Sequence, residues 1–187
     1  QVWDDVDASD EGVTDLGGDN TLGYEITLEG ITASASYART GVGSDNSIVL
    51  IANDLVDGAS FGIGTGTNTL SATSEDDMTT AWATYTTGPV TMGVQLSEID
   101  KTAANSDVDR EHVAISFAVN ENLSISYGIS TVEYESATKS DEESSGFSAS
   151  YTMGGMTLGA VANKSDSLKG TAGTDRTFTE VSLAFAF

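Results

Sequence analysis

Between Leu22 and Phe185, apolar side chains return at every second position in one segment after another. Leu22, Tyr24, Ile26 and Leu28 alternate with Gly23, Glu25 and Thr27. Val90, Met92, Val94 and Leu96 alternate with Thr91, Gly93 and Gln95, and Leu123, Ile125, Tyr127 and Ile129 with Ser124, Ser126 and Gly128. Neighbouring side chains of a β-strand point to opposite faces, so this period gives each segment one oily face and one hydroxyl-rich face. The same alternation runs through Ile31–Tyr37, Ala59–Ile63, Val113–Val119 and Phe147–Met153. Ser47–Asn53 and Thr79–Thr86 read less cleanly, and with Met156–Asn163 and the terminal stretch Thr177–Phe187 the count reaches eleven predicted strands.

The second face decides what such strands can build. Ser, Thr, Gly and Asn dominate it, and none of them packs a dry core. The oily stripe must therefore meet lipid or a second sheet, while the hydroxyl stripe meets water. A wide barrel with a wet lumen satisfies both demands. The chain ending favours it: Thr179, Val181, Leu183, Phe185 and Phe187 share one face, opposite Phe178, Glu180, Ser182, Ala184 and Ala186. A strand that closes a cylinder gains from an aromatic end at the membrane interface, whereas a soluble sheet gains little.

The connections carry a rhythm of their own. Short links are predicted at Glu29-Gly30, Asp57-Gly58, Thr87-Gly88-Pro89, Asn120-Glu121-Asn122 and Gly154-Gly155. Longer polar links are predicted over Arg39–Asn46, Gly66–Met78, Ile99–Arg110, Tyr134–Ser145 and Lys164–Arg176. Such alternation belongs to an up-and-down barrel with tight turns at one rim and loops at the other. Strands of about eight to eleven residues suit a tilted membrane crossing. The fold class expected is all-β: a transmembrane antiparallel up-and-down β-barrel. The alternative is a secreted or surface β-sandwich, adhesin-like and calcium-stabilised, whose oily faces pair with each other.

Seven Lys and Arg against 29 Asp and Glu leave a net charge of -22, which would repel nucleic acid. Without cysteine there is no disulfide, thiolate nucleophile or Cys-ligated metal. No apolar run is long enough for a membrane-crossing helix, and no charged, apolar leader opens the chain, so a mature or truncated chain is expected.

Two further stretches sharpen the reading. Gln1-Val2-Trp3-Asp4-Asp5-Val6-Asp7, followed by Asp10, Glu11, Asp15 and Gly17-Gly18-Asp19-Asn20, is acidic, lacks any base and does not alternate. Glu75-Asp76-Asp77-Met78 leads through Ala81, Ala83, Tyr85 and Gly93 to Ile99-Asp100. With the Phe-terminated last strand and the loop rhythm, these stretches resemble the trimeric, sixteen-stranded general porins of the bacterial outer membrane, in their alphaproteobacterial form. The resemblance implies that residues 1–20 are the loop that folds inward to narrow the pore and that 21–187 form the barrel wall. It implies about eleven strands of a larger barrel, the C-terminal portion, which needs the missing N-terminal strands of the same barrel to close its edges. It further implies a water-filled outer-membrane channel for passive diffusion of small hydrophilic solutes and ions, in contact with lipid and assembled as a homotrimer. No enzyme chemistry and no cofactor go with it. Asp4, Asp5, Asp7, Asp10, Glu11 and Asp15 are the candidate pore constriction, where crowded carboxylates focus negative potential and attract cations. Val181, Leu183, Phe185 and Phe187 are the candidate C-terminal assembly signal.

Other motifs have plainer readings. Leu16–Leu22 resembles half of a calcium-binding nonapeptide repeat, but one incomplete copy cannot supply an ion's full ligand set. The acidic loops Asp100–Asp109 and Asp141–Glu143 could hold calcium through oxygen ligands, yet they lack regular ligand spacing. Gly62, Gly64 and Gly66 precede no helix or Lys in P-loop order and are expected to face the lumen. His112 is the only histidine; Ser116 lies about 13 Å along the same strand face, beyond hydrogen-bonding reach, so a strand-end polar role is expected instead of catalysis. Arg39, Arg110 and Arg176 are expected near the strand mouths.

Overall fold

The computed structural model describes residues 21–39, 41 and 43–186. Eleven strands follow one another: β1 (Thr21–Leu28), β2 (Ile31–Arg39), β3 (Ser44–Val56), β4 (Ala59–Ser71), β5 (Ser74–Thr87), β6 (Val90–Lys101), β7 (Val108–Ala118), β8 (Leu123–Tyr134), β9 (Glu142–Met153), β10 (Met156–Asp166) and β11 (Arg176–Phe185). They form a single antiparallel sheet in chain order, each strand bonded to its sequence neighbours. Two stacked sheets, as a sandwich requires, are not what these residues build.

Tight turns line one rim, at 29–30, 57–58, 88–89 and 154–155, with 119–122 slightly longer. Gly58 has φ +74, and a Cβ there would collide with the Thr86 carbonyl oxygen, so this turn requires glycine. Pro89 sits in the next turn, where its missing N–H breaks no ladder and its carbonyl accepts the Ala118 N–H at 2.8 Å. The other rim carries the links 72–73, 102–107, 135–141 and 167–175, and there too β2 ends and β3 begins.

The predicted long link Gly66–Met78 is corrected here: β4 and β5 run through it and join in a tight turn at 72–73. Register pairs Thr67 with Asp77, Asn68 with Asp76 and Thr69 with Glu75. These residues are polar on both faces, so a rule that looks for oily alternation passes over them although Thr suits an extended backbone. For the same reason β3 and β5 exceed their predicted bounds, and the strands reach 14 residues in β5.

Paired residues of antiparallel strands share a face, so the register defines two surfaces. One rung of the oily face runs Phe61, Ala83, Val94, Val113 and Ile129 across β4 to β8. The matching rung of the other runs Gly62, Trp82, Gln95, His112 and Ser130. Exposure is the reverse of a soluble protein: Leu96, Ile129 and Phe185 are open, whereas Ser97, Ser130 and Ser144 are buried. Crowded small side chains and splayed large ones mark the hydroxyl-rich face as the concave side of the curved sheet. Among the described residues the buried hydrophobics are Ala38, Ala59, Ile99, Val108 and Val132, too few for the core of a soluble domain of this length.

Candidate functional site

The concave face is the candidate site, and its chemistry begins with paired hydroxyls. Thr27–Thr32, Ser36–Ser47, Thr80–Ser97, Thr86–Thr91, Ser126–Ser148, Ser144–Ser165 and Thr152–Thr157 stand directly opposite each other at oxygen separations of 2.6 to 3.2 Å. A hydroxyl both donates and accepts, so each pair satisfies one bond internally and keeps capacity for water. Gln95 Nε2 donates to Thr80 Oγ1 and Ser97 Oγ, both at 3.3 Å, extending one rung sideways. The result is a wettable wall that needs no buried core behind it.

Gly62, Gly64 and Gly66 lie on this face, as their alternation predicts. Gly62 is covered by the Trp82 ring; a Cβ there would strike the indole Nε1, Cε2 and Cζ2. His112 corrects its expectation of a strand end: it stands inside β7, between Gln95 and Ser130. Arg110 and Arg176 also belong to the concave face, while Arg39 pairs with Ser44 at the loop rim. On this face the described wall carries Glu25, Asp45, Asp76, Glu142 and Glu180 against Lys101, Arg110 and Arg176.

The convex face forms a continuous band. Along β6 it holds Val90, Met92, Val94 and Leu96, about 20 Å of strand at the usual rise. Phe61, Tyr85, Phe117, Tyr151 and Phe185 set an aromatic row toward the tight-turn rim. Val181, Leu183 and Phe185 join this band from β11, opposite Ala160, Leu158 and Met156. Toward the loop rim the band gives way to Glu98, Asp109, Glu111, Glu133 and Glu143.

At that level the two faces exchange character. The apolar phase moves inward, to Met78, Ile99, Val108, Val132 and Tyr134, while carboxylates take the outside. Ile99, Val108 and Val132 are 4 to 5% exposed, and Arg110 and Glu142 beside them 5 and 3%. The hydroxyl-rich inner face expected from the sequence thus gives way, at this level, to an apolar one. In hydrocarbon an outward apolar side chain is favoured; beyond it, water surrounds the outside and the ordinary apolar-inside order returns. The signal was present in the sequence: oily residues shift phase between Leu96 and Ile99, and again between Ile129 and Val132.

The candidate constriction acids Asp4, Asp5, Asp7, Asp10, Glu11 and Asp15 lie outside the described residues, as do Phe187 of the assembly signal and most of Leu16–Leu22. Among the described residues no group of three or more His, Asp or Glu side chains is arranged to hold a metal ion.

An antiparallel sheet with an oily convex belt, an aromatic row and a hydroxyl-lined concave wall defines the transmembrane β-barrel class. Comparison with solved structures narrows the class to the porin-type barrel. The chain superposes on an anion-selective porin from Comamonas acidovorans with TM-score 0.77 at 14% identity, over 90% of this chain and 59% of the porin. It matches OmpT, an outer membrane protein of Vibrio cholerae, with TM-score 0.57 at 14% identity over 87% of this chain and 60% of OmpT. A loop L8 deletion mutant of OmpT gives 0.60 at 14% identity over 88% and 62%. The chain thus spans about three fifths of the length of the barrels it matches. No family model and no curated protein matches the sequence. The fold resemblance inferred from the sequence agrees with these superpositions.

Proposed function

We propose that this chain forms the greater part of the wall of an outer-membrane channel, through which small hydrophilic solutes and ions diffuse without any bond chemistry. One observation carries the reading: the oily side chains are the exposed ones and the hydroxyls the crowded ones. That order is favourable only if hydrocarbon lies outside and water inside. The superposed Comamonas porin supports the same conclusion at the level of fold.

The strands β1 and β11 each have a sheet neighbour on one side only. Bare strand edges are not tolerated in hydrocarbon, so in this reading further strands of the same barrel close the cylinder, and the porin resemblance adds a homotrimer as the assembly. We read the channel as cation-preferring. Support comes from the net charge of -22 and from seven acids without a base in residues 1–20. The described concave wall adds only a small acidic excess, so the preference rests mainly on the acids of residues 1–20. Anion selectivity is a property of the Comamonas porin, whose identity to this chain is 14%.

The test is a planar-bilayer recording of the complete barrel in a salt gradient. The expected reversal potential favours cations and moves toward zero when Asp4, Asp5 and Asp7 are changed to Asn. A reversal potential favouring anions overturns the preference, and an absence of any conductance overturns the channel itself.

A further inference from the structure

The link 167–175 between β10 and β11 is bonded to an inward-facing side chain at the loop-side end of β9. Glu142, 3% exposed, holds it there. Its Oε2 accepts the Lys169 backbone N–H at 2.7 Å, and its Oε1 accepts the Ser165 hydroxyl at 3.1 Å. Ser165 in turn accepts from Ser144 at 2.8 Å, so the carboxylate is anchored to the hydroxyl pairs of the wall. Register sets Glu142 opposite Val132, on the face that carries Ser130 and Ser126.

The adjacent link 135–141 is tied into the same arrangement. The Ser140 N–H donates to the Gly170 carbonyl at 3.1 Å, and Lys139 Nζ stands 4.0 Å from the centre of the Tyr134 ring. A Cβ on Gly170 would come within 2.9 Å of Lys139 Cδ and 3.0 Å of Tyr134 Cδ2, so this glycine is packed between them. The conformation of link 167–175 also has a backbone cost. Ser167 and Lys169 have φ of 56 and 57, a left-handed conformation disfavoured for residues carrying a Cβ. Two such residues in one short link persist only where outside contacts hold them. The buried carboxylate is such a contact.

We propose that Glu142 is a positioning residue that pins the link 167–175 across the loop-side mouth, making a second narrowing of the channel separate from residues 1–20. The proposal rests on the channel reading. It assigns to Glu142 an effect on pore width, exerted through the backbone it holds rather than by contact with a passing solute.

The complete barrel is compared with its variants by single-channel conductance in planar bilayers and by trypsin cleavage after Lys169 in detergent, with the cut mapped by mass spectrometry. Glu142→Ala removes both acceptors. Its conductance is expected to exceed the parent's and its cleavage to run roughly tenfold faster, the shift in local opening that follows loss of one charge-assisted hydrogen bond. Ser167→Gly relieves the left-handed residue while keeping every backbone donor, and is expected to slow cleavage. Glu142→Gln keeps the shape and one oxygen acceptor and falls between parent and Glu142→Ala. Parent-like cleavage and conductance in Glu142→Ala overturn the proposal. So does faster cleavage with unchanged conductance, because the link would then narrow nothing. If Glu142→Ala does not assemble, Glu142→Gln and Ser167→Gly decide by the same two readouts. A parent barrel that conducts no ions refutes the channel reading instead, while the tryptic comparison still judges the pinning.

Discussion

Single side chains on the concave wall do two jobs: they bind across strands and they leave room for water. Each opposed hydroxyl pair, such as Ser126 with Ser148 at 2.6 Å, contributes a fraction of a kilocalorie to about one kilocalorie per mole. Glycine does the second job, and Gly62 shows how closely the two are fitted. The indole of Trp82 lies over it, filling the space a side chain would occupy. Gly62→Val should therefore cost about 1 to 3 kcal/mol, measured by urea unfolding in lipid vesicles. In a Trp82→Ala background the same change should cost clearly less, since the clash is gone. Equal costs in the two backgrounds would mean that the ring is not what occupies that space. That Gly62 faces inward was legible from alternation alone. That Trp82 covers it was not, because cross-strand partners depend on the register of two segments about twenty positions apart.

At the scale of a strand, β6 holds the whole logic of the wall. Val90, Met92, Val94 and Leu96 look outward, Gln95 and Ser97 look inward, and beyond Leu96 the apolar residue Ile99 turns in while Glu98 turns out. Adjacent positions should thus respond oppositely to the same charge. Val94→Arg near the middle of the belt should destabilise the barrel by about 2 to 4 kcal/mol, whereas Gln95→Arg should be nearly neutral. Unfolding titrations in bilayers compare the two directly, and comparable losses would deny that the faces differ. The crossings in β6, β7 and β8 could be read from oily residues recurring every second position. The upper parts of β4 and β5 could not, since Thr, Asn and Asp on both faces leave no oily phase to follow. Their pairing is carried by backbone hydrogen bonds, to which side-chain periodicity is blind.

For the whole molecule, closure is the outstanding demand. The sheet runs from β1 to β11 without the two meeting, and the last strand presents Val181, Leu183 and Phe185 to the belt. If the aromatic end of β11 serves assembly, deleting Phe187 should lower the yield of heat-modifiable, folded barrel in the outer membrane while leaving synthesis unchanged. An unchanged yield would remove that role. The amino-acid sequence by itself determined the strand count, the tight-turn rim and the division into an oily and a hydroxyl-rich face, because side-chain direction alternates along any extended chain whatever surrounds it. Only the tertiary structure decided which face is crowded, and that the Glu142 carboxylate accepts from the backbone of a link 27 positions along the chain. Those features depend on the curvature of the sheet and on contacts between segments far apart in the chain, and local periodicity carries no record of either.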